Sequence, residues 1–168
     1  MNTASRACTD QSPHSGQPLT GTQAGRSSQV DDRDVNSVWE HLKIDPAALL
    51  VDVRTRAEWT FVGLPDLSTL GKRVVTVEWQ SLPEHSVDTD FTHRLKSILA
   101  DLNAGTDTPM YFICRSGSRS RMAADAMTEL GYHRCYNVAD GFEGPLDTQR
   151  HRGNLGGWKA AGLAWIQG

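Results

Sequence analysis

The residues best suited to chemistry lie in one stretch, Cys114-Arg115-Ser116-Gly117-Ser118-Arg119-Ser120, with Arg121 directly after it. It follows an apolar run, Met110 to Ile113, and leads into a segment with helical spacing. A strand that ends on a cysteine, turns through small residues and enters a helix aims backbone amides of the turn and of the helix N-terminus at the sulfur. Such amides favour an anion. Arg115, Arg119 and Arg121 add positive charge nearby. Both effects stabilise the thiolate, which is the nucleophilic form of cysteine. Gly117 and the serines keep the walls low, so a small anion can reach the sulfur. A free cysteine is often a small buried hydrophobe, but no core position suits arginine, serine and glycine as neighbours.

Strands alternating with helices must position this loop. Val35, Val38, Trp39 and Leu42 fall at i, i+3, i+4, i+7, with Asp34 as N-cap, and Pro46 ends that helix. Ala48 to Val53 is a short apolar run that suits a strand buried on both faces. Thr55 and Glu58 have capping-box spacing and start one or two helical turns. Residues 62–71 read as a loop by their glycines and proline, and Val74 to Val77 as a strand. Phe91, Leu95, Ile98, Leu99 and Leu102 mark an amphipathic helix. After the strand 110–113 comes a helix with Met122, Ala123, Ala126, Met127 and Leu130 inward and Gly131 at its C′ position. Cys135 to Val138 is a fourth strand, residues 139–157 are irregular and polar, and a last short helix leaves Trp158, Leu163 and Trp165 for packing. The pattern predicts an α/β fold around a mostly parallel sheet, with Cys114 at the carboxyl end of a strand, where reactive groups of such sheets sit.

The chain has 168 residues, enough for one domain with a core of its own. A formal net charge of −3 excludes nucleic-acid or membrane-surface binding driven by bulk charge. No apolar run approaches membrane-spanning length. Residues 1–29, which include Cys8, are rich in Ser, Thr, Gln and Gly, so a flexible tail is expected before a domain over 30–168. The first residues lack the apolar stretch of a secretory signal, and three sparse cysteines suit reduced thiols; both point to the cytoplasm. Cys135, within a strand, is expected to be buried and inert. The histidines show no metal-ligand spacing, and the chemistry calls for no metal and no cofactor.

Three stretches together resemble the rhodanese family of sulfurtransferases. Leu50 to Trp59 is similar to the family's signature of a strand ending in Asp-x-Arg, then Glu and an aromatic. Cys114 to Ser120 matches its catalytic loop. Gly141-Phe142, with Gly157 to Leu163 later, resembles its C-terminal signature. The resemblance implies a rhodanese-like, mostly parallel five-stranded sheet flanked by helices on both faces. It implies ping-pong transfer of sulfane sulfur from a small sulfur-containing anion such as thiosulfate to a thiol, cyanide or protein cysteine. Cys114 would carry the persulfide. Arg115, Ser116, Gly117, Ser118, Arg119 and Ser120 would bind the donor, Arg119 attracting its charge, and Asp52, Arg54 and Glu58 would support the rim. Two departures stand out: the turn after Trp59 lacks the family's histidine, and residues 143–157 look like an irregular insertion that suits a solvated loop, a lid or a docking surface. Two rival functions remain. Dual-specificity phosphatases and arsenate reductases use Cys-x5-Arg, whereas Arg119 here gives the shorter Cys-x4-Arg. A relay or sensing module would hold the persulfide for a protein partner.

Overall fold

The computed structural model describes residues 30–81 and 86–168, so the expected tail over 1–29 lies outside the described residues. In chain order the strands are β1 (Asp31–Arg33), β2 (Leu49–Asp52), β3 (Leu64–Pro65), β4 (Val75–Thr76), β5 (Met110–Ile113), β6 (Cys135–Val138) and β7 (Trp165–Ile166). The helices are α1 (Val35–Ile44), α2 (Arg56–Phe61), α3 (Phe91–Asp101), α4 (Ser118–Glu129) and α5 (Gly157–Ala160). Five strands form one sheet in the order β1-β6-β5-β2-β4. Every neighbouring pair in it is parallel.

The central strand explains the layering. All four residues of β5 are buried, and alternate side chains of a strand point to opposite faces. Met110 and Phe112 pack with Leu95 and Leu99 of α3 and Ala123 and Met127 of α4. Tyr111 and Ile113 pack with Val38 and Leu42 of α1 and with Phe142 and Trp158. Helices therefore cover both faces, as the unbroken apolar run requires. Asp34 caps α1, accepting from the amides of Asn36 at 3.1 Å and Ser37 at 3.0 Å. No helix among the described residues is long and apolar enough to cross a membrane.

Two sequence expectations change, and one strand of the five-stranded sheet was not located from the sequence. In α4 the inward residues are Ser120, Ala123, Ala124 and Met127, whereas Met122 and Leu130 are 42% and 49% exposed. The stripe keeps the i, i+3, i+4, i+7 spacing but starts on a serine, which hydrophobic periodicity passes over. The fifth strand of the sheet is β1, whose residues Asp31-Asp32-Arg33 are all exposed and polar and carry no strand signature. Within the expected loop 62–71, Leu64–Pro65 instead pairs antiparallel with Trp165–Ile166 as a second, two-stranded sheet. Gly63 makes that approach feasible: its φ is +103°, and a Cβ there would lie 2.5 Å from the Ile166 carbonyl oxygen.

Candidate active site

Strand β5 delivers the chain to Cys114, and Gly117 in the left-handed region (φ +95°) turns it into α4. This turn brings the Gly117 amide within 3.2 Å of Cys114 Sγ, to which it donates. One helical turn later, the Ser120 hydroxyl lies 3.2 Å from the same sulfur. Of the inward amides expected from the sequence, Gly117's is the one in hydrogen-bond reach of the sulfur among the described residues. The N-terminus of α4 carries no side-chain cap, so its positive end faces the sulfur without a competing carboxylate.

The Ser120 hydroxyl has one proton and three acceptors in range: Sγ, the Gly117 carbonyl at 3.1 Å and Asn137 Oδ1 at 2.7 Å. Asn137 in β6 is oriented by donating through Nδ2 to Asp32 in β1 at 2.6 Å. A thiol can therefore donate to Ser120 while Ser120 donates to Asn137, and a thiolate can instead draw the hydroxyl proton to itself. Behind the loop, the Cys114 carbonyl accepts from the Phe142 amide at 2.7 Å and the Arg115 carbonyl from the Glu143 amide at 2.9 Å. Gly141 (φ +62°) passes so close that a Cβ would stand 2.3 Å from the Cys114 carbonyl oxygen.

Cys114 is 1% exposed, yet it lines a cavity of about 430 Å³. Arg115, Ser116, Ser118 and Arg119 of the expected site line the same cavity, as does Glu58. Gly117 and Ser120 lie beneath, against the sulfur. The sequence did not single out Val62, Gln80 and Glu143, which complete the wall with Thr55. The only signal for Glu143 was its place next to the Gly141-Phe142 motif.

The supporting residues divide. Glu58 accepts from Arg119 at 2.6 and 2.9 Å in a bidentate pair, each side chain 17% exposed. Burial alone would raise the Glu58 carboxyl, but the Arg119 and Thr55 hydrogen bonds and the Arg119 charge outweigh it and hold it at about 2. The same carboxylate accepts from the Thr55 amide at 2.9 Å, completing the capping box of α2. Asp52 and Arg54 instead form a fully buried pair at 2.6 Å, away from the cavity. Arg54 also donates to the Gly63 carbonyl at 2.8 Å and lies 4.0 Å above the Phe142 ring, so it braces the segments behind the loop. Arg121 does not add charge at the sulfur: it turns to the Val30 carbonyl and to Asp32. Cys135 is buried, and burial pushes its thiol up to about 11, against a smaller opposing effect of Thr128. Residues 144–154 close on themselves, with Asp147 accepting from Gln149, His151 and Asn154.

A parallel five-stranded sheet with a cysteine-led loop between its central strand and a helix defines a rhodanese-like domain. The chain belongs to that family: residues 31–168 match the family model described as STR4 middle domain. An uncharacterized protein of Rickettsia conorii is 41% identical over 118 residues, covering 70% of this chain and 82% of that one. The crystal structure of Rv0390 from M. tuberculosis is 46% identical with a TM-score of 0.74, covering 83% of this chain and 98% of that one. A rhodanese-like domain-containing protein 4, chloroplastic, of Arabidopsis thaliana is 25% identical over 131 residues, which are 78% of this chain and 24% of that much longer protein.

Proposed function

We propose that this protein is a cytoplasmic sulfurtransferase that carries sulfane sulfur on Cys114, from a donor such as thiosulfate to a thiophilic acceptor. The observation that supports it best is the Cys114 sulfur at the floor of an open cavity, with the Gly117 amide and the Ser120 hydroxyl 3.2 Å away. The thiolate attacks the outer sulfur of thiosulfate. A bond forms between the two sulfurs, the S–S bond of the donor breaks, and sulfite leaves with its electron pair. The persulfide anion then lies in the field of the Gly117 amide and the α4 N-terminus. An acceptor nucleophile, whether cyanide, a small thiol or a protein cysteine, takes the outer sulfur, and Cys114 departs as the thiolate. No net proton, oxidant or reductant is required, so neither a metal nor a cofactor enters the cycle.

The pairing of Arg119 with Glu58 bears on the alternatives. A phosphatase or arsenate reductase needs an arginine free to hold a tetrahedral oxyanion, and here both guanidinium contacts go to a carboxylate. The same pairing supports a relay role, in which a protein partner rather than a small anion presents or accepts the sulfur. The test is steady-state kinetics with thiosulfate and cyanide. Thiocyanate formation with parallel double-reciprocal plots, abolished in Cys114→Ser, is expected. Turnover that survives Cys114→Ser would defeat the proposal.

A further inference from the structure

The described lining of the cavity holds four charged side chains besides the cysteine: Arg115, Arg119, Glu58 and Glu143. Arg119 and Glu58 neutralise one another across 2.6 and 2.9 Å. Arg115 is exposed at the mouth. Glu143 is fixed beside the loop by its amide, which donates to the Arg115 carbonyl, and its carboxylate forms no ion pair among the described residues. Lys159 feels the charge of Glu143 but lies outside the lining, donating to the Val62 carbonyl at 2.8 Å with its ammonium 3.9 Å from the Trp165 ring centre. The four lining charges sum to zero, so an ionised Cys114 makes the lining itself net negative, with the Lys159 ammonium just behind it. The end of α4 offsets roughly half a charge.

We infer that Glu143 selects the donor by charge, disfavouring dianions such as thiosulfate and favouring hydropersulfides, which bring one negative charge or none to the reacting sulfur. This inference rests on the sulfur-carrier reading of Cys114. With a hydropersulfide R–S–SH, the Cys114 thiolate attacks the outer sulfur, the new S–S bond forms as the old one breaks, and R–S⁻ leaves with the electron pair and takes a proton from water. Cys114 is left as the hydropersulfide, whereas thiosulfate leaves it as the persulfide anion.

The test measures sulfur uptake by the full chain, followed by intact mass, with thiosulfate and with the hydropersulfide of 2-mercaptoethanol, in the wild type and in E143Q. The ratio of the thiosulfate rate to the hydropersulfide rate should rise roughly five- to tenfold in E143Q. In the wild type the same ratio should rise with ionic strength, a measurement that needs no variant to fold. A ratio unmoved by both E143Q and salt, with sulfur still taken up from either donor, overturns the charge-selection role and leaves the carrier intact. Uptake from neither donor overturns both.

Discussion

At the residue scale, little holds the sulfur among the described residues: one amide, one hydroxyl and the end of a helix. Ser120 is the most testable of these, because Asn137 competes for its proton at 2.7 Å against 3.2 Å to the sulfur. A hydrogen bond to a charged group is worth about 1.5–3 kcal/mol, and the competition leaves only part of that to the thiolate. Ser120→Ala should therefore slow alkylation of Cys114 by iodoacetamide at neutral pH by roughly three- to tenfold. An unchanged rate would show that the hydroxyl serves Asn137 alone. The cysteine loop was legible because strand, small residues and helix lie in unbroken sequence. The Arg119–Glu58 pair was not, since 61 residues separate its partners and no local pattern links them. Without that contact, Arg119 reads as a free cation for an anionic donor; with it, Arg115 is the cation at the mouth.

At the scale of elements, the short helix α2 positions the site through one carboxylate that both caps the helix and pairs with Arg119 on α4. This linkage makes stability depend on pH. The Glu58 carboxyl sits at about 2 in the folded chain, below its ordinary value of 4.5. A depressed carboxyl contributes stability that is fully present above the unfolded value and is lost as pH falls through the folded one. Stability should thus decline between about pH 4.5 and pH 2 with a Glu58 contribution on the order of 2 kcal/mol. Glu58→Gln should flatten that decline in urea titrations across the range, and a parallel decline in both proteins would remove the linkage. The main elements were legible: α1 with its Asp34 cap, α3, β2, β5 and β6 all follow from periodicity and punctuation. The strand β1 was not, because Asp31-Asp32-Arg33 owes its extended form to pairing with β6 and not to its own composition. The β3–β7 pair was hidden for a similar reason: two-residue strands are too short to show a period.

For the whole molecule, the sheet places the Cys114 sulfur directly after the carboxyl end of its central strand. The strand before it is buried on both faces, so packing and site geometry are coupled. Phe112→Ala should cost about 3–5 kcal/mol of stability, read from urea unfolding, because Phe112 is fully buried among α3 and α4 side chains. A loss below about 1 kcal/mol would mean that the core beneath the loop is loosely packed. The α/β class and the parallel sheet were legible from the alternation of elements. The balance of charge in the cavity was not, since Glu58, Arg115, Arg119 and Glu143 come from three separate segments that only the fold brings together. Whether Cys114 carries sulfur is read from the intact mass of the full chain after mixing with a sulfane-sulfur donor. The wild type should gain one sulfur and lose it on adding cyanide, and Cys114→Ser should gain none. A wild type that gains no sulfur, or a Cys114→Ser protein that gains as much, would contradict the assignment of Cys114 as the sulfur carrier.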